Sequence, residues 1–199
     1  MRTEDTQAAW IKEVQALRQR ADAAGAVPGV ASPQQLQGRS GLQIMQAMLA
    51  GELPYPHIMQ TLDYSLLQVD KGRAVFQGVP QLMHYNPLGS VHGGWYATLL
   101  DSALGCAVHT TLEAGQGYTT AELGIHIVRA ASHKSGPLRA IGHVVHVGRQ
   151  LATAEARVVG ADGKLYVGVG DNNDGALAQN LADPFGKMLR FNDNGTPAN

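Results

Sequence analysis

The sequence predicts an α+β fold in which an antiparallel sheet wraps around one long buried helix. Residues 93–108 are almost all apolar, so a helix formed by them has no polar face wide enough for water and should be buried. Segments with an apolar residue at every second position, the spacing of a strand, precede and follow this helix. A single apolar helix with strands on both sides is best buried by curling the sheet around it, which is the hotdog architecture.

Two helices and a linker are predicted before the sheet. Residues 6–24 carry apolar side chains at helical spacing, and Gly25, Pro28 and Gly29 end that helix before a linker-like segment to residue 37. A second helix follows Ser40, its expected N-cap, and ends at Gly51. Residues 1–38 are therefore assigned to an N-terminal helical extension and linker, and residues 39–170 to the main domain.

The spacing of apolar residues changes to two from about residue 62. Residues 62–70 and 73–79 are predicted strands, joined by a hairpin at Lys71 and Gly72. Four more strands are predicted after the buried helix, at 118–130, 138–147, 151–159 and 164–169. They can form an antiparallel meander.

Composition excludes several classes of function. The chain has 199 residues, 16% of them charged, and a formal net charge of −1, so nucleic acid and acidic membranes are not expected partners. The eight histidines lack metal-ligand spacing, and no metal or cofactor is predicted. Cys106 is expected to be a small core residue, with a reactive thiol as the alternative. No apolar run could span a membrane and no signal peptide is visible, so we expect a cytoplasmic protein.

The start of the buried helix is a candidate anion site. His92 precedes the helix, and Gly93 and Gly94 occupy its first turn, where unpaired backbone N–H groups and the helix dipole can stabilise an oxyanion. The alternatives are that the two glycines allow close packing of helix on sheet, and that His92 is a plain hydrogen-bonding residue at the helix start.

Asp101 is the only charged residue in this helix segment. An isolated carboxylate there is costly unless it is paired, hydrogen-bonded or open to ligand; the alternative is a rim residue that caps a loop. Gly93 and Asp101 are about 12 Å apart along the axis, and the side chains of His92 and Asp101 leave the helix on opposite faces. If both helix start and carboxylate act on one carbonyl carbon, they must come from two subunits of a symmetric dimer.

With these residues in place, the chain from about residue 30 to residue 166 closely resembles the phenylacetic-acid-degradation-type hotdog thioesterases of the four-hydroxybenzoyl-CoA thioesterase superfamily. The matching motifs are Ser40-Gly-Leu, Met48-Leu-Ala-Gly-Glu-Leu-Pro, His84-Tyr-Asn86-Pro-Leu-Gly, Val91-His92-Gly-Gly-Trp, Leu100-Asp101-Ser-Ala-Leu-Gly-Cys, Tyr118-Thr-Thr120 and Gly136-Pro-Leu. The whole set of motifs in this order is specific for the family, whereas His-Gly-Gly alone would be weak evidence for it.

The resemblance implies roles for five residues. Asp101 would be the general base or the nucleophile that acts on the thioester carbon, and the sequence does not choose between them. Asn86 would hold the attacking water or orient the carbonyl. The Gly93 N–H would be the oxyanion donor, His92 would support the thioester oxygen and the loop, and Thr120 would assist the acidic residue of its own subunit.

The resemblance further implies hydrolysis of an acyl-CoA by a homodimer or a dimer of dimers. Trp95 and Tyr96 would suit an aryl or medium-chain acyl group, with ordinary core residues as the alternative. Gly94, Trp95 and Thr119 are the predicted substrate-binding residues. Ala130, where the family usually has proline, and the stretch Gly124-Ile-His126 depart from the family pattern and leave the acyl group open. The competing interpretation is an acyl-CoA-binding hotdog protein that does not hydrolyse its ligand.

The end of the chain departs from the family. Residues 164–197 resemble one blade of the glucose/sorbosone dehydrogenase β-propellers. A lone blade has no neighbours to cover its faces, so no dehydrogenase activity is assigned to it. Residues 171–199 are expected to be foreign to the domain or poorly packed, with a native extension as the alternative.

Overall fold

The computed structural model describes residues 2–169 and 187–192. The helices are α1 (Thr3–Ala23), α2 (Pro33–Leu36), α3 (Gly41–Ala50), α4 (His57–Thr61) and α5 (Gly93–His109), with a 3-10 helix at Leu82–His84. The strands are β1 (Tyr64–Asp70), β2 (Arg73–Gly78), β3 (Gln116–Thr120), β4 (His126–Ile127), β5 (Leu138–Val147), β6 (Leu151–Gly160), β7 (Leu165–Val169) and β8 (Lys187–Asn192). No helix in these two ranges is long and apolar enough to cross a membrane.

The strands form one antiparallel sheet around α5. The order is β1-β2-β5-β6-β7-β4, while β8 pairs with both β3 and β6. The long helix α5 contacts β1, β2, β3, β5 and β6. The predicted α+β hotdog fold is confirmed.

The core lies between α5 and the concave face of the sheet. Leu99, Leu100 and Ala103 of α5 are fully buried, together with Phe76 of β2 and Leu138 of β5. Truncating a leucine buried to this extent, such as Leu99, costs about 2–5 kcal/mol. The core therefore fixes the rotation of α5 and, with it, the direction of every polar side chain on that helix.

The N-terminal helix α1 covers part of the convex face of the sheet. Val14 of α1 packs against Leu67 and Val75 in a second, smaller core. The Arg139 guanidinium stacks over the Trp10 ring, 4.1 Å from its centroid. Helix α1 thus shields the middle of the sheet on the side away from α5.

The predicted strand over 118–130 is wrong in its middle and at its end. Residues 121–125 and 128–130 are outside any strand, and β3 and β4 stand on either side of 121–125. The reason is the partner: β3 pairs with β8, whereas β4 pairs with β7. The residues between them lie where one partner strand ends and the next begins.

Most of the predicted tail, 171–199, falls outside the described residues. Its residues Lys187–Asn192 form β8 and pair with two strands of the sheet. The assignment of the tail as foreign to the domain or poorly packed stays a prediction. The resemblance of the tail to a propeller blade stays a prediction.

Candidate active site

The first turn of α5 offers an unused backbone donor. His92 is the N-cap, with extended backbone angles, and its Nδ1 accepts a 2.8 Å hydrogen bond from the Gly94 N–H. Because Nδ1 is the acceptor, the proton of the neutral imidazole is on Nε2. The Gly93 N–H has no acceptor among residues 2–169 and 187–192, as expected in the first turn of a helix. Gly93, rather than Gly94, is therefore the donor left for a ligand.

Asn86 shapes the loop that leads into α5. Its Oδ1 accepts hydrogen bonds from the N–H groups of Leu88 at 3.0 Å and Ser90 at 3.2 Å, and its Nδ2 donates to the Ser90 Oγ at 3.0 Å. The backbone N–H of Asn86 also donates to the Ser90 carbonyl at 2.8 Å. One hydrogen on Nδ2 is left for a ligand, so the predicted contact with water or a carbonyl would be made by that group.

Asp101 and Thr120 are in direct contact. The Thr120 hydroxyl of β3 donates a 2.8 Å hydrogen bond to Asp101 Oδ1 in the third turn of α5. Both residues are half-buried, and no cation within the described residues forms an ion pair with Asp101. Among the described residues, no donor is bonded to Asp101 Oδ2, and a base that takes a proton from water requires such an acceptor.

The ionisable groups around Asp101 stay protonated at neutral pH. Burial raises the pKa of Tyr64 to about 12, and the Tyr64 hydroxyl lies 2.9 Å from the Ser102 Oγ. Burial, with a further contribution from the Asp101 charge, raises the pKa of Cys106 to about 12 and that of Tyr118 well above its usual value. Tyr64, Cys106 and Tyr118 therefore cannot serve as bases at neutral pH.

The helix keeps the two halves of the candidate site apart. Gly93 and Asp101 both lie in the unbroken helix α5, eight residues and about 12 Å apart along its axis. Gly94 is on the same side of the helix as Asp101, but is about 10 Å away. The structure brings Thr120 to Asp101 and does not bring His92, Gly93 or Asn86 to them within one chain.

A cleft of about 430 Å³ opens beside the start of α5. Its lining residues come from the end of α4, the segment before α5 and the first turns of α5: Leu62, Met83, His84, Tyr85, His92, Gly94, Trp95 and Thr98. Of the predicted substrate-binding residues, Gly94 and Trp95 line this cleft and Thr119 does not. Trp95 is buried, and its Nε1–H donates to the Leu62 carbonyl at 3.1 Å. Thr119 is exposed on β3.

His84 lines the cleft and was given no role by the sequence. It is buried and stacks on Trp95, with 5.8 Å between ring centroids. Its Nδ1 accepts a 3.1 Å hydrogen bond from the Gln81 N–H, while its Nε2 is buried without a partner in the described part of the chain. Burial lowers the pKa of His84, so the ring is neutral at pH 7. The signal was available, because His84 begins the motif that contains Asn86.

Residues 88–167 match the family model of the Thioesterase superfamily. The matched segment contains His92, Gly93, Asp101 and Thr120, whereas Asn86 and the end of the chain lie outside it. The match covers all of α5, strands β3 to β6 and the first three residues of β7. No curated protein matches the chain.

Solved structures with the same fold include bacterial proteins linked to phenylacetic acid degradation. The PaaI protein of the Escherichia coli phenylacetic acid degradation operon is 19% identical, with a TM-score of 0.56 over 75% of this chain and 90% of that one. A phenylacetic acid degradation-related protein of Ralstonia eutropha JMP134 is 26% identical, with a TM-score of 0.57 over 73% and 96%. A Haemophilus influenzae thioesterase is 15% identical, with a TM-score of 0.54 over 68% and 83%.

The described residues supply groups for acid–base chemistry at a carbonyl, in two separate parts of one chain. One part is the half-buried Asp101 carboxylate held by the Thr120 hydroxyl. The other is the Gly93 N–H at the start of α5, beside a cleft with apolar walls. No cluster of three His, Cys, Asp or Glu side chains in the described ranges could hold a metal ion.

Proposed function

We propose that the protein hydrolyses an acyl-CoA thioester, with an aryl or medium-chain acyl group, to the free acid and CoA. The Thioesterase superfamily match supports thioester chemistry in general. The single observation that carries the proposal is the 2.8 Å hydrogen bond from Thr120 to Asp101 on the buried helix. It fixes the orientation of a carboxylate that forms no ion pair within the described part of the chain.

In the proposed reaction Asp101 acts as a general base. Its free Oδ2 takes a proton from a water molecule as the water oxygen bonds to the thioester carbon. The electron pair of the C=O bond moves to oxygen, and the Gly93 N–H stabilises the oxyanion that forms. When the intermediate collapses, the C–S bond breaks, the sulfur leaves with its electron pair, and the proton held by Asp101 neutralises the CoA thiolate. The products are a carboxylic acid and CoA-SH, and Asp101 is again a carboxylate.

The two halves of this site would come from two subunits. Gly93 lies too far along α5 from Asp101 for both to reach one carbonyl carbon, so the oxyanion donor of one subunit would face Asp101 and Thr120 of the other. Support comes from the β4 edge, where Ile127 is 46% exposed and Val128 63% exposed. An exposed apolar edge strand suits pairing with a second copy of the chain. In a two-fold dimer, the single interface would then contain two sites.

The cleft suits an apolar acyl group. Leu62, Met83 and Trp95 give its walls their apolar character, and the Met83 side chain is 74% exposed at its mouth. Methionine adapts its shape to different ligands, and its sulfur packs well against aromatic rings. These residues favour an aryl or medium-chain group over a short polar one.

The proposal is tested by a screen of the purified protein against aryl- and alkyl-CoA esters, with released thiol as the readout. We expect turnover of at least one ester and its loss in Asp101→Asn, which keeps the size of the side chain and removes the base. Binding of acyl-CoA without thiol release by the wild-type protein would favour the non-hydrolysing binder instead. Unchanged turnover in a folded Asp101→Asn variant would reject Asp101 as the base.

A further inference from the structure

Strands β7 and β8 lie end to end along the same edge of β6. Val169 at the end of β7 is opposite Ala156, and Lys187 at the start of β8 is opposite Thr153. The two strands run in the same direction, since both are antiparallel to β6. Ala156 and Thr153 are three residues apart on β6, whereas Val169 and Lys187 are eighteen residues apart in the chain. The chain between β7 and β8 is therefore fifteen residues longer than a continuous strand would need.

The opposite edge of β7 and β8 has the same geometry. Gly168 of β7 is opposite His126 of β4, and Met188 of β8 is opposite Thr120 of β3. Thr120 and His126 are six residues apart, whereas Gly168 and Met188 are twenty apart, so along this edge the chain has fourteen residues more than a continuous strand would need. The difference of one residue between the two edges fits the irregular stretch 121–125, where a bulge can absorb it.

We propose that β8 completes the strand begun by β7 and positions Thr120 against Asp101. Within the described residues, β8 is the only sheet partner of β3, and Thr120 is the β3 residue opposite Met188. Because β8 also pairs with β6, it ties β3 to the middle of the sheet. The hydroxyl that holds Asp101 is therefore kept in place by a strand from the far end of the chain.

The catalytic part of this inference rests on the proposed thioester hydrolysis, whereas the composite strand does not. The first test is Leu189→Pro. Leu189 is opposite Thr119 on one side and Leu151 on the other, so proline there removes a backbone donor from a central strand. We expect loss of hydrogen-exchange protection in residues 116–120 and a fall in kcat of about 10- to 100-fold, with KM changed less than about twofold.

A double variant separates positioning from general destabilisation. If β8 acts through Thr120, Leu189→Pro should reduce kcat little further in a Thr120→Val background. A merely structural lesion would reduce kcat by the same factor in both backgrounds, and that result would overturn the positioning role.

The second test uses the register and keeps β8 intact. Deletion of residues 171–185 removes fifteen residues and joins the two strands in their observed register along β6. Deletion of residues 171–186 removes sixteen, and a one-residue slip turns every side chain of β8 to the other face of the sheet. We expect the first deletion to keep exchange protection in 116–120 and kcat within about twofold of wild type, and the second to lose both.

The exchange measurement needs no turnover, so it stands even if no CoA ester is hydrolysed. Equal protection of residues 116–120 in both deletions, or its loss in the fifteen-residue deletion, would overturn the composite strand. Retained protection with a reduced kcat in the fifteen-residue deletion would overturn the link from β8 to the Asp101–Thr120 pair.

Discussion

Replacing Gly93 by proline would remove the proposed oxyanion donor and little else. Gly93 is the first residue of α5, where the N–H has no intrahelical partner and proline is well tolerated. The preceding residue, His92, has φ −62° and ψ 138°, which a following proline permits. A Cβ at position 93 would lie 3.4 Å from the Ile127 Cδ1, a contact that a flexible side-chain end can relieve.

The magnitude follows from the lost hydrogen bond. Loss of one oxyanion donor costs about 2.7–4 kcal/mol of transition-state stabilisation, or about 10²–10³-fold in kcat. We expect that reduction in Gly93→Pro, with a small change in KM because the oxyanion exists only in the transition state. The assay is steady-state release of CoA thiol, with thermal unfolding as the check on the fold.

Gly93→Ala is the matched control. It adds the same Cβ but keeps the N–H, so its kcat should stay within about a factor of three of wild type. The stability of the first turn of α5 changes little in either variant. Equal activities of the proline and alanine variants would show that the Gly93 N–H does not stabilise the oxyanion.

Three further predictions concern side chains. Thr120→Val removes a charge-assisted hydrogen bond to Asp101, so kcat should fall by about 10- to 100-fold in the thiol-release assay. Thr120→Ser keeps the hydroxyl and should stay near wild type. A fully active valine variant would refute the role of the hydroxyl. Cys106, with its pKa raised to about 12, should resist alkylation at pH 8 in the folded protein and react once it is unfolded. Burial lowers the pKa of His84 below 6.5, so the unfolded chain binds more protons there and the free energy of unfolding should fall as pH drops through about 6.5. Urea unfolding at pH 7.5 and 5.5 measures this fall, and an undiminished pH dependence in His84→Gln would assign it to other groups.

The sequence pattern predicted the helices and strands correctly where the local residues alone determine the structure. The apolar run of α5 allowed only a buried helix, and the hairpin at Gly72, which has φ 76°, joins β1 and β2 as expected. Thr120 could be placed beside Asp101 only through the family resemblance, because nothing local relates a strand residue to a helix residue nineteen positions earlier.

The errors came from pairings between distant parts of the chain. The predicted strand over 118–130 is interrupted because its partner is made of two separate segments, β7 and β8. No local pattern identifies Lys187–Asn192 as a partner of β3 and β6.

The central claim, a site shared by two subunits, is tested most directly by mixing two inactive variants. Asp101→Asn disables one half of each site and Gly93→Pro the other, so a mixed dimer has one site with both lesions and one with neither. After the two are unfolded and refolded together in equal amounts, about half of the dimers should be mixed, with one intact site each. We expect activity to recover to about a quarter of the wild-type value. No recovery, with mixed dimers verified by mass spectrometry, would mean that Asp101 and Gly93 do not act on the same thioester from different subunits.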